Sequence, residues 1–344
     1  MSIQIINPLE RTDWDDLLLS SPGYSFFHCT AWARALHETY HYTPTYFTVL
    51  NNGQLSVLLA LMEVNSFFTG KRGVSLPFSD YCEPIINDEK HFRLVWDSAV
   101  QYGRAKGWKY LDIRTGQNLF RSSSGRSTFI RHQLDLSGNE ANLFSNFRAS
   151  TRRNIKKALR EKVEVKISHS LESLHEFYKL NLMTRKKHGM PPQPFIFFEK
   201  IYNNIISRNF GFVVLASFNR ENIASAVYFH FGDKAIFKYG ASDEKFQHLR
   251  PNDVVMWEAI RWSAQKGLKS LCLGRTDLEN QGLLRFKSGW GTREEPINYY
   301  RYDLGRRVYT SEMAKPRRMP NKIFKKMPLF LLRGIGEALY RHVG

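Results

Sequence analysis

The sequence predicts two similar α/β domains in tandem. The order hairpin, helix, strand occurs twice, and the two helix–strand units align residue for residue at an offset of 160. Ala99 matches Ala259, Lys106 matches Lys266, Gly107 matches Gly267, Lys109 matches Lys269 and Leu111 matches Leu271. With 42% hydrophobic and 14% aromatic residues over 344 positions, the chain can bury a core in each half.

In the first half, Asp13 to Leu19 reads as a short helix, and Thr30 stands where a cap is needed for a helix carrying Trp32 and Leu36. Tyr46–Leu50 and Leu55–Met62 alternate as strands around Asn51, Asn52 and Gly53, a hairpin signal. Residues 73–80 read as a loop, His91–Lys106 as a helix and Tyr110–Arg114 as a strand. In the second half, the basic stretch 139–162 reads as one helix with Phe144, Phe147, Ile155 and Leu159 on its apolar face. Leu174–Lys187 is helical, and Phe212–Phe218 with Ile223–Phe231 forms a second hairpin. A strand through Ala235, Phe237 and Tyr239 then leads to a helix opened by Pro251 and stopped by Gly267, and to a short strand, Ser270–Leu273. A loop over Gly282–Gly291 follows, with Lys287 set among glycines and aromatics. Loops at strand ends of such sheets are where ligands bind, so Lys287 is the first candidate for chemistry. The expected division is 1–137, 138–305 and a tail 306–344 broken by Pro316, Pro320 and Pro328. After Pro328, Leu332, Ile335, Leu339 and Val343 line one face, while Arg333, Glu337 and Arg341 line another. Such a basic amphipathic helix fits a membrane interface or a dock on its own protein.

The net charge is +18, and it is concentrated. Residues 148–162 hold seven Lys/Arg and one Glu, and residues 306–344 hold ten Lys/Arg and two Glu. These segments point to anionic partners: phosphates of a nucleotide-linked substrate, RNA or an acidic membrane surface. Cys29, Cys82 and Cys272 are too scattered for a zinc site or a disulfide framework, and the eleven histidines form no metal pattern, so neither metal nor cofactor is expected. The first residues lack a signal-peptide pattern and no apolar run approaches ~18 residues, so a cytoplasmic protein is expected, with peripheral contact at the inner membrane face as the alternative use of the tail.

Phe26–Trp32, Ser150–Arg160 followed by Val163–Val165, Thr184–Gly189 followed by Pro194, Tyr239–Ser242, and Phe286 and Lys287 before Trp290 and Gly291 form an ordered set of segments. Together they resemble the FemABX family of peptidyltransferases. The resemblance implies two tandem GNAT-like domains, each a mixed sheet flanked by helices, plus the basic tail. It also implies transfer of an amino acid from aminoacyl-tRNA to an amine of a peptidoglycan precursor, or acyl transfer in a polysaccharide setting. The family's Phe–Lys pair falls on Phe286 and Lys287, where the lysine stabilises charge as the ester carbonyl is attacked. Its phosphate-binding basic residue before His–Gly falls on Lys187, beside Arg185 and His188, while lysine lacks the bidentate fork of arginine. A second phosphate-binding lysine falls on Leu36, leaving Arg34, near Trp32, as the only replacement. Tyr239 belongs to the matched set. An acyl-CoA-dependent enzyme carries a glycine-rich loop whose N–H groups cradle pyrophosphate. Here that place reads Phe246–Asn252 without glycine, though Arg250 can hold an anion. Asp243, Glu244 and Asp277 are candidate bases near the strand ends, and each suits a capping role as well. The expected activity is aminoacyl or acyl transfer to an amine of a cell-envelope precursor. An acyl-CoA-dependent N-acyltransferase and a noncatalytic RNA- or membrane-binding module are the alternatives.

Overall fold

A computed structural model describes residues 2–117, 119, 126–310 and 321–344. The elements in chain order are β1 (Ile3–Ile6), α1 (Trp14–Leu19), α2 (Thr30–Tyr40), β2 (Thr43–Asn51), β3 (Gln54–Ser66), β4 (Gly70–Val74), β5 (Ile85–Ile86), α3 (Glu89–Ala105) and β6 (Tyr110–Thr115). Then come β7 (Arg126–Asp135), α4 (Glu140–Asn146), α5 (Ala149–Arg160), β8 (Glu164–Ser168), α6 (Leu171–Lys187), α7 (Phe195–Ile201), β9 (Gly211–Phe218), β10 (Glu221–Phe231) and β11 (Lys234–Ser242). Last are α8 (Pro251–Gln265), β12 (Ser270–Asp277), α9 (Gln281–Ser288), β13 (Arg293–Asp303), β14 (Val308–Thr310), α10 (Asn321–Lys326) and α11 (Leu329–Val343).

The described residues form two compact units, one from within 2–129, 296–310 and 339–344, the other from 130–295 and 321–338. The expected boundary at 137/138 thus falls at 129/130, and the strand after Pro296 returns to the first unit instead of closing the second. Residues 311–320 of the expected tail, including Pro316 and Pro320, lie outside the described residues.

In the first unit the sheet runs β1, β2, β3, β4, β6 and the later part of β13. Helix α3 carries the chain from β4 to β6, which pair in parallel through Gly73–Leu111 and Val74–Asp112. Phe92, Val95 and Ala99 of α3 pack on Phe47, Val57, Leu59 and Leu61 of the hairpin. In the second unit the sheet runs β7 (from Ile130), β12, β11, β10, β9 and β8, and α8 makes the equivalent parallel crossover from β11 to β12. Its Val254, Ala259 and Ile260 pack on Phe212, Val214 and Tyr228. The repeated crossover is the structural content of the offset of 160. Gly107 (φ +72°) and Gly267 (φ +77°) both end their helices in the left-handed conformation, which glycine alone adopts without strain.

Three expectations change in detail. Thr30 is not the cap of α2: Cys29 takes that place, and the Thr30 N–H is instead held by the Asp15 carboxylate at 2.8 Å. The basic helix 139–162 is two helices, because Phe147 and Arg148 adopt extended ψ angles between α4 and α5. The loop 282–291 is mostly helix, since the Asn280 side chain caps α9 by accepting from Leu283 N at 3.1 Å.

Within the tail, Leu332 is fully buried and Gly336 lies so close to the Pro192 carbonyl that an added Cβ would sit 2.0 Å from it. In the first unit, Tyr42 Oη donates to the carbonyls of Tyr340 and Arg341 at 3.2 Å each. Docking on its own protein is therefore one role the tail has. Phe330 (71% exposed) stays in water.

Candidate functional site

The second unit opens where β11 and β12 part. Their parallel ladder holds three pairs, Lys234–Ser270, Ala235–Leu271 and Ile236–Cys272, and stops, although both strands continue. Gly274, at φ +71°, turns β12 just beyond that point. Two parting parallel strands leave backbone groups without a ladder, and such a split is a natural place for a ligand.

Lys287 reaches this split from α9. Its side chain is 3% exposed, and Nζ donates to the Arg275 carbonyl on the parted stretch of β12 at 3.0 Å. A buried ammonium is costly unless it is hydrogen-bonded, and a bond from a charged donor contributes about 1.5–3 kcal/mol. Backbone contacts hold the residue as well: Thr292 Oγ1 donates to the Lys287 carbonyl at 3.2 Å, and Trp290, fully buried, follows Gly289. Phe286 contributes packing, its ring centroid lying 5.9 Å from that of Trp290.

Beside Lys287 stands His132 of β7, with no exposed surface. Burial, then the nearby ammonium, pushes its pKa down to about 4, so the ring is neutral at pH 7. Its Nδ1 lies 3.3 Å from Thr292 Oγ1. The Thr292 hydroxyl proton already goes to the Lys287 carbonyl, so Nδ1 is the donor and Nε2 carries the lone pair. Among the described residues, Nε2 has no hydrogen-bond partner. Residues 126–135 are assigned no element from the sequence, and His132 is not singled out there. The alternation Ile130, His132, Leu134 placed it on an inward strand face, which is the signal that could have found it.

A basic groove adjoins α9. Helix α5 packs on α8, and Phe144, Arg152, Arg153, Lys156, Lys157, Arg160 and Arg250 are among the residues around an open volume of about 790 Å³. Arg152, Arg153, Lys156 and Lys157 pair with no carboxylate among the described residues; Arg160 has Glu161 at 3.7 Å. The start of α5 is fixed to the end of α9. Arg148 N donates to Gly289 O at 2.9 Å, and the Arg148 guanidinium reaches Arg285 O at 3.2 Å and Ser288 Oγ at 3.1 Å. Arg250 enters the groove from a left-handed backbone (φ 62°) just before Pro251 opens α8. Below it, Asp253 is buried, accepts from Asn154 Nδ2 at 3.3 Å, and is pushed up to about 6 by burial against the opposing pull of Asn154 and Arg250.

The remaining candidates fall elsewhere. Lys187 ends α6 and pairs with Glu244 at 2.8 Å, an exposed contact worth about 0.2–1 kcal/mol that an anion can displace. Arg185 donates through Nε and Nη2 to the Pro191 carbonyl at 3.3 Å. His188 is exposed at the helix end, and its pKa is lowered by desolvation and then by Lys187, Arg185 and Lys325. Arg185 and Lys187 supply the positive charge at this helix end, and their proximity favours the neutral form of the His188 ring. Tyr239 sits on the parted stretch of β11, its ring 5.5 Å from Phe198 and 6.3 Å from Phe177. Trp32 is a core residue of the first unit, 5.4 Å from Phe27 and 6.1 Å from Phe26. Arg34, also in the first unit, is half-buried and offsets part of the burial that raises the Asp15 pKa. Of the expected carboxylates, Asp243 accepts from Lys245 N at 2.9 Å and Asp277 from Glu279 N at 3.0 Å, as turn caps do. Among the described residues no group of three or more His, Cys, Asp and Glu is placed to hold a metal.

Residues 145–288 match the family model for the acetyltransferase (GNAT) domain. The lipid II:glycine glycyltransferase of Staphylococcus haemolyticus (strain JCSC1435) is 31% identical over 109 residues, which cover 29% of this chain and 26% of that protein. The protein of the same description from Staphylococcus aureus is 30% identical over an equal length, again 29% of this chain and 26% of that protein. The chain therefore spans about a quarter of the length of the curated relatives it matches. Among solved structures, that of FemX superposes with a TM-score of 0.70 at 16% identity, covering 87% of this chain and 97% of the other. A tandem GNAT protein from the clavulanic acid biosynthesis pathway gives a TM-score of 0.57 at 10% identity, covering 88% and 98%. With the repeated crossover, the parted strands and the matched segments in place, the chain has the tandem GNAT-like fold of FemX and is similar over part of its length to the lipid II:glycine glycyltransferases.

Proposed function

We propose that this chain transfers an aminoacyl group from aminoacyl-tRNA to an amine of a cell-envelope precursor, with Lys287 as the charge-stabilising group. The observation that carries the reading is the position of Lys287: a 3% exposed ammonium held on the Arg275 carbonyl at the split between β11 and β12. In the reaction the acceptor nitrogen attacks the ester carbonyl carbon and a C–N bond forms. The carbonyl oxygen gains negative charge, which the preorganised ammonium offsets. Collapse breaks the ester C–O bond, and the proton lost by the amine passes to the departing ribose oxygen. The substrate thus supplies its own proton acceptor. A cation fixed in a dry site needs no reorganisation when the charge develops, which is where such groups gain their effect.

Two further features support an anionic donor and acceptor: the groove along α5 next to α9, and the cations Arg185 and Lys187 at the end of α6. The relatives' description as lipid II:glycine glycyltransferases favours glycine as the transferred group and a lipid-linked peptidoglycan precursor as the acceptor. Work on such an acceptor places the chain at the cytoplasmic membrane face, with the exposed side of the tail toward lipid. No helix among the described residues is long and apolar enough to cross a membrane.

The match to a GNAT acetyltransferase domain favours one second reading, acyl-CoA as donor. Against it, Pro251 removes one N–H from the start of α8, and Arg250 fills the place of a glycine. The test is discharge of aminoacyl-tRNA pools and consumption of an acyl-CoA panel by the purified chain, in the presence of a lipid-linked peptidoglycan precursor. Discharge that disappears in Lys287→Ala supports the proposal. Consumption of acyl-CoA alone replaces the donor, and binding of RNA with no turnover and no effect of Lys287→Ala replaces the enzyme with a binding module.

A further inference from the structure

The turn between β3 and β4 carries two phenylalanines outward. Phe67 is 94% exposed and Phe68 is 68% exposed, and their rings lie 5.8 Å apart edge to face. The turn is firmly built. Ser66 Oγ accepts from Thr69 N at 3.1 Å, and the buried Arg72 guanidinium donates to Thr69 Oγ1 and to the carbonyls of His342 (2.8 Å) and Gly344 (3.1 Å). The His342 ring stands against Phe68 at 4.8 Å, and its Nδ1 lies 3.1 Å from Ser66 Oγ. Polar groups of the turn are thus spent inward, on the 339–344 segment, and the two phenyl rings are left in water.

Around this apolar tip the charge has one sign. Residues 64–72 contain Lys71 and Arg72 and no acid. The Lys109 ammonium lies against the turn, 2.8 Å from where a Cβ on Gly70 would sit. Arg341 and Val343 (61% exposed) flank His342.

We propose that the Phe67–Phe68 turn anchors this protein on an anionic lipid surface. The rings enter the boundary between headgroups and acyl chains, and Lys71, Lys109 and Arg341 face the anionic headgroups. A second copy of the chain fits the tip less well, because a self-complementary contact brings two basic collars together on chains of net charge +18. The anchor goes beyond the transferase reading and does not depend on it.

The test uses the full chain with vesicles of phosphatidylcholine alone or mixed with phosphatidylglycerol, read by co-sedimentation. The wild type partitions onto the mixed vesicles, and Phe67→Ser/Phe68→Ser partitions roughly ten- to a hundredfold less, as expected for keeping two phenyl rings out of the boundary. Both rings are exposed, so the double variant keeps its melting temperature. Phe67→Trp supplies a second readout: its emission shifts to the blue and is quenched by brominated acyl chains on binding. Equal binding by the double variant overturns the proposal, as does an unshifted Phe67→Trp spectrum on vesicles or failure of the wild type to bind either vesicle. Concentration-dependent dimerisation that the double substitution abolishes overturns it in favour of a second copy.

Discussion

Replacing Lys287 by methionine keeps an unbranched side chain as far as Cε and removes the ammonium beyond it. The ammonium is 3% exposed and donates to the Arg275 carbonyl at 3.0 Å, so the substitution has two separable effects. On stability, the Arg275 carbonyl loses a buried donor, which costs about 1–3 kcal/mol, while removal of a buried charge offsets part of that loss. The net shift in unfolding free energy is therefore small, at most about 2 kcal/mol of destabilisation by that difference. On turnover, loss of one preorganised oxyanion-type group lowers kcat about 10²–10³-fold, equivalent to about 2.7–4 kcal/mol of transition-state stabilisation. Because the interaction strengthens only as charge develops, kcat and kcat/KM fall together and donor affinity stays. The assay is single-turnover discharge of aminoacyl-tRNA with a lipid-linked acceptor, alongside filter binding of the same tRNA and a denaturant titration. A kcat within about threefold of wild type, with donor affinity lost instead, refutes the reasoning and makes Lys287 a ground-state contact.

Other predictions follow from neighbouring groups. Asp253, raised to about 6, keeps a proton in the folded state that the unfolded chain releases, so its contribution to stability is present below about pH 4 and lost as pH rises through 6, by about 3 kcal/mol. His132, lowered to about 4, works in the opposite direction: the unfolded chain binds the proton first, and stability is lost as pH falls from about 6.5 toward 4, again by about 3 kcal/mol. The two largely cancel between pH 4 and 6, so Asp253→Asn steepens the acid loss and His132→Asn steepens the loss with rising pH; denaturant midpoints across pH 4–7 measure both. In the groove, Arg153→Ala/Lys157→Ala flattens the plot of log RNA affinity against log salt by roughly 1.5 if both cations touch phosphate, and leaves the slope unchanged if neither does. Gly289→Ala places a methyl group 2.6 Å from Thr151 Oγ1 and forces α5 from α9, costing about 1–3 kcal/mol by denaturant titration and lowering turnover through a displaced Lys287.

Much of the architecture is legible in local pattern. Alternation in 46–62 and 212–231, helical spacing after Asp88 and Pro251, and glycines at 107 and 267 each specify an element from near neighbours alone. Strands β1, β4, β7, β8 and β13 escaped the reading because they are short, polar on one face or rich in tyrosine, and gain their stability from a partner strand distant in sequence. The helix of Lys287 escaped it for a related reason: glycines on both sides suggested a loop, while the Asn280 cap and the contacts with Arg148 and Thr151 hold it helical.

By itself the sequence determined the duplication, the concentration of positive charge and the identity of Lys287 as the residue to watch, since each depends on composition or on spacing within one element. The tertiary structure alone decided that Lys287 is buried on the carbonyl of Arg275, that His132 stands neutral beside it, and that Trp32 is core. The Lys287 contact joins α9 to β12 across twelve residues and His132 meets Lys287 from more than a hundred residues away, so both depend on how separate elements pack, as does the pKa of His132, and no pattern within one element could carry them.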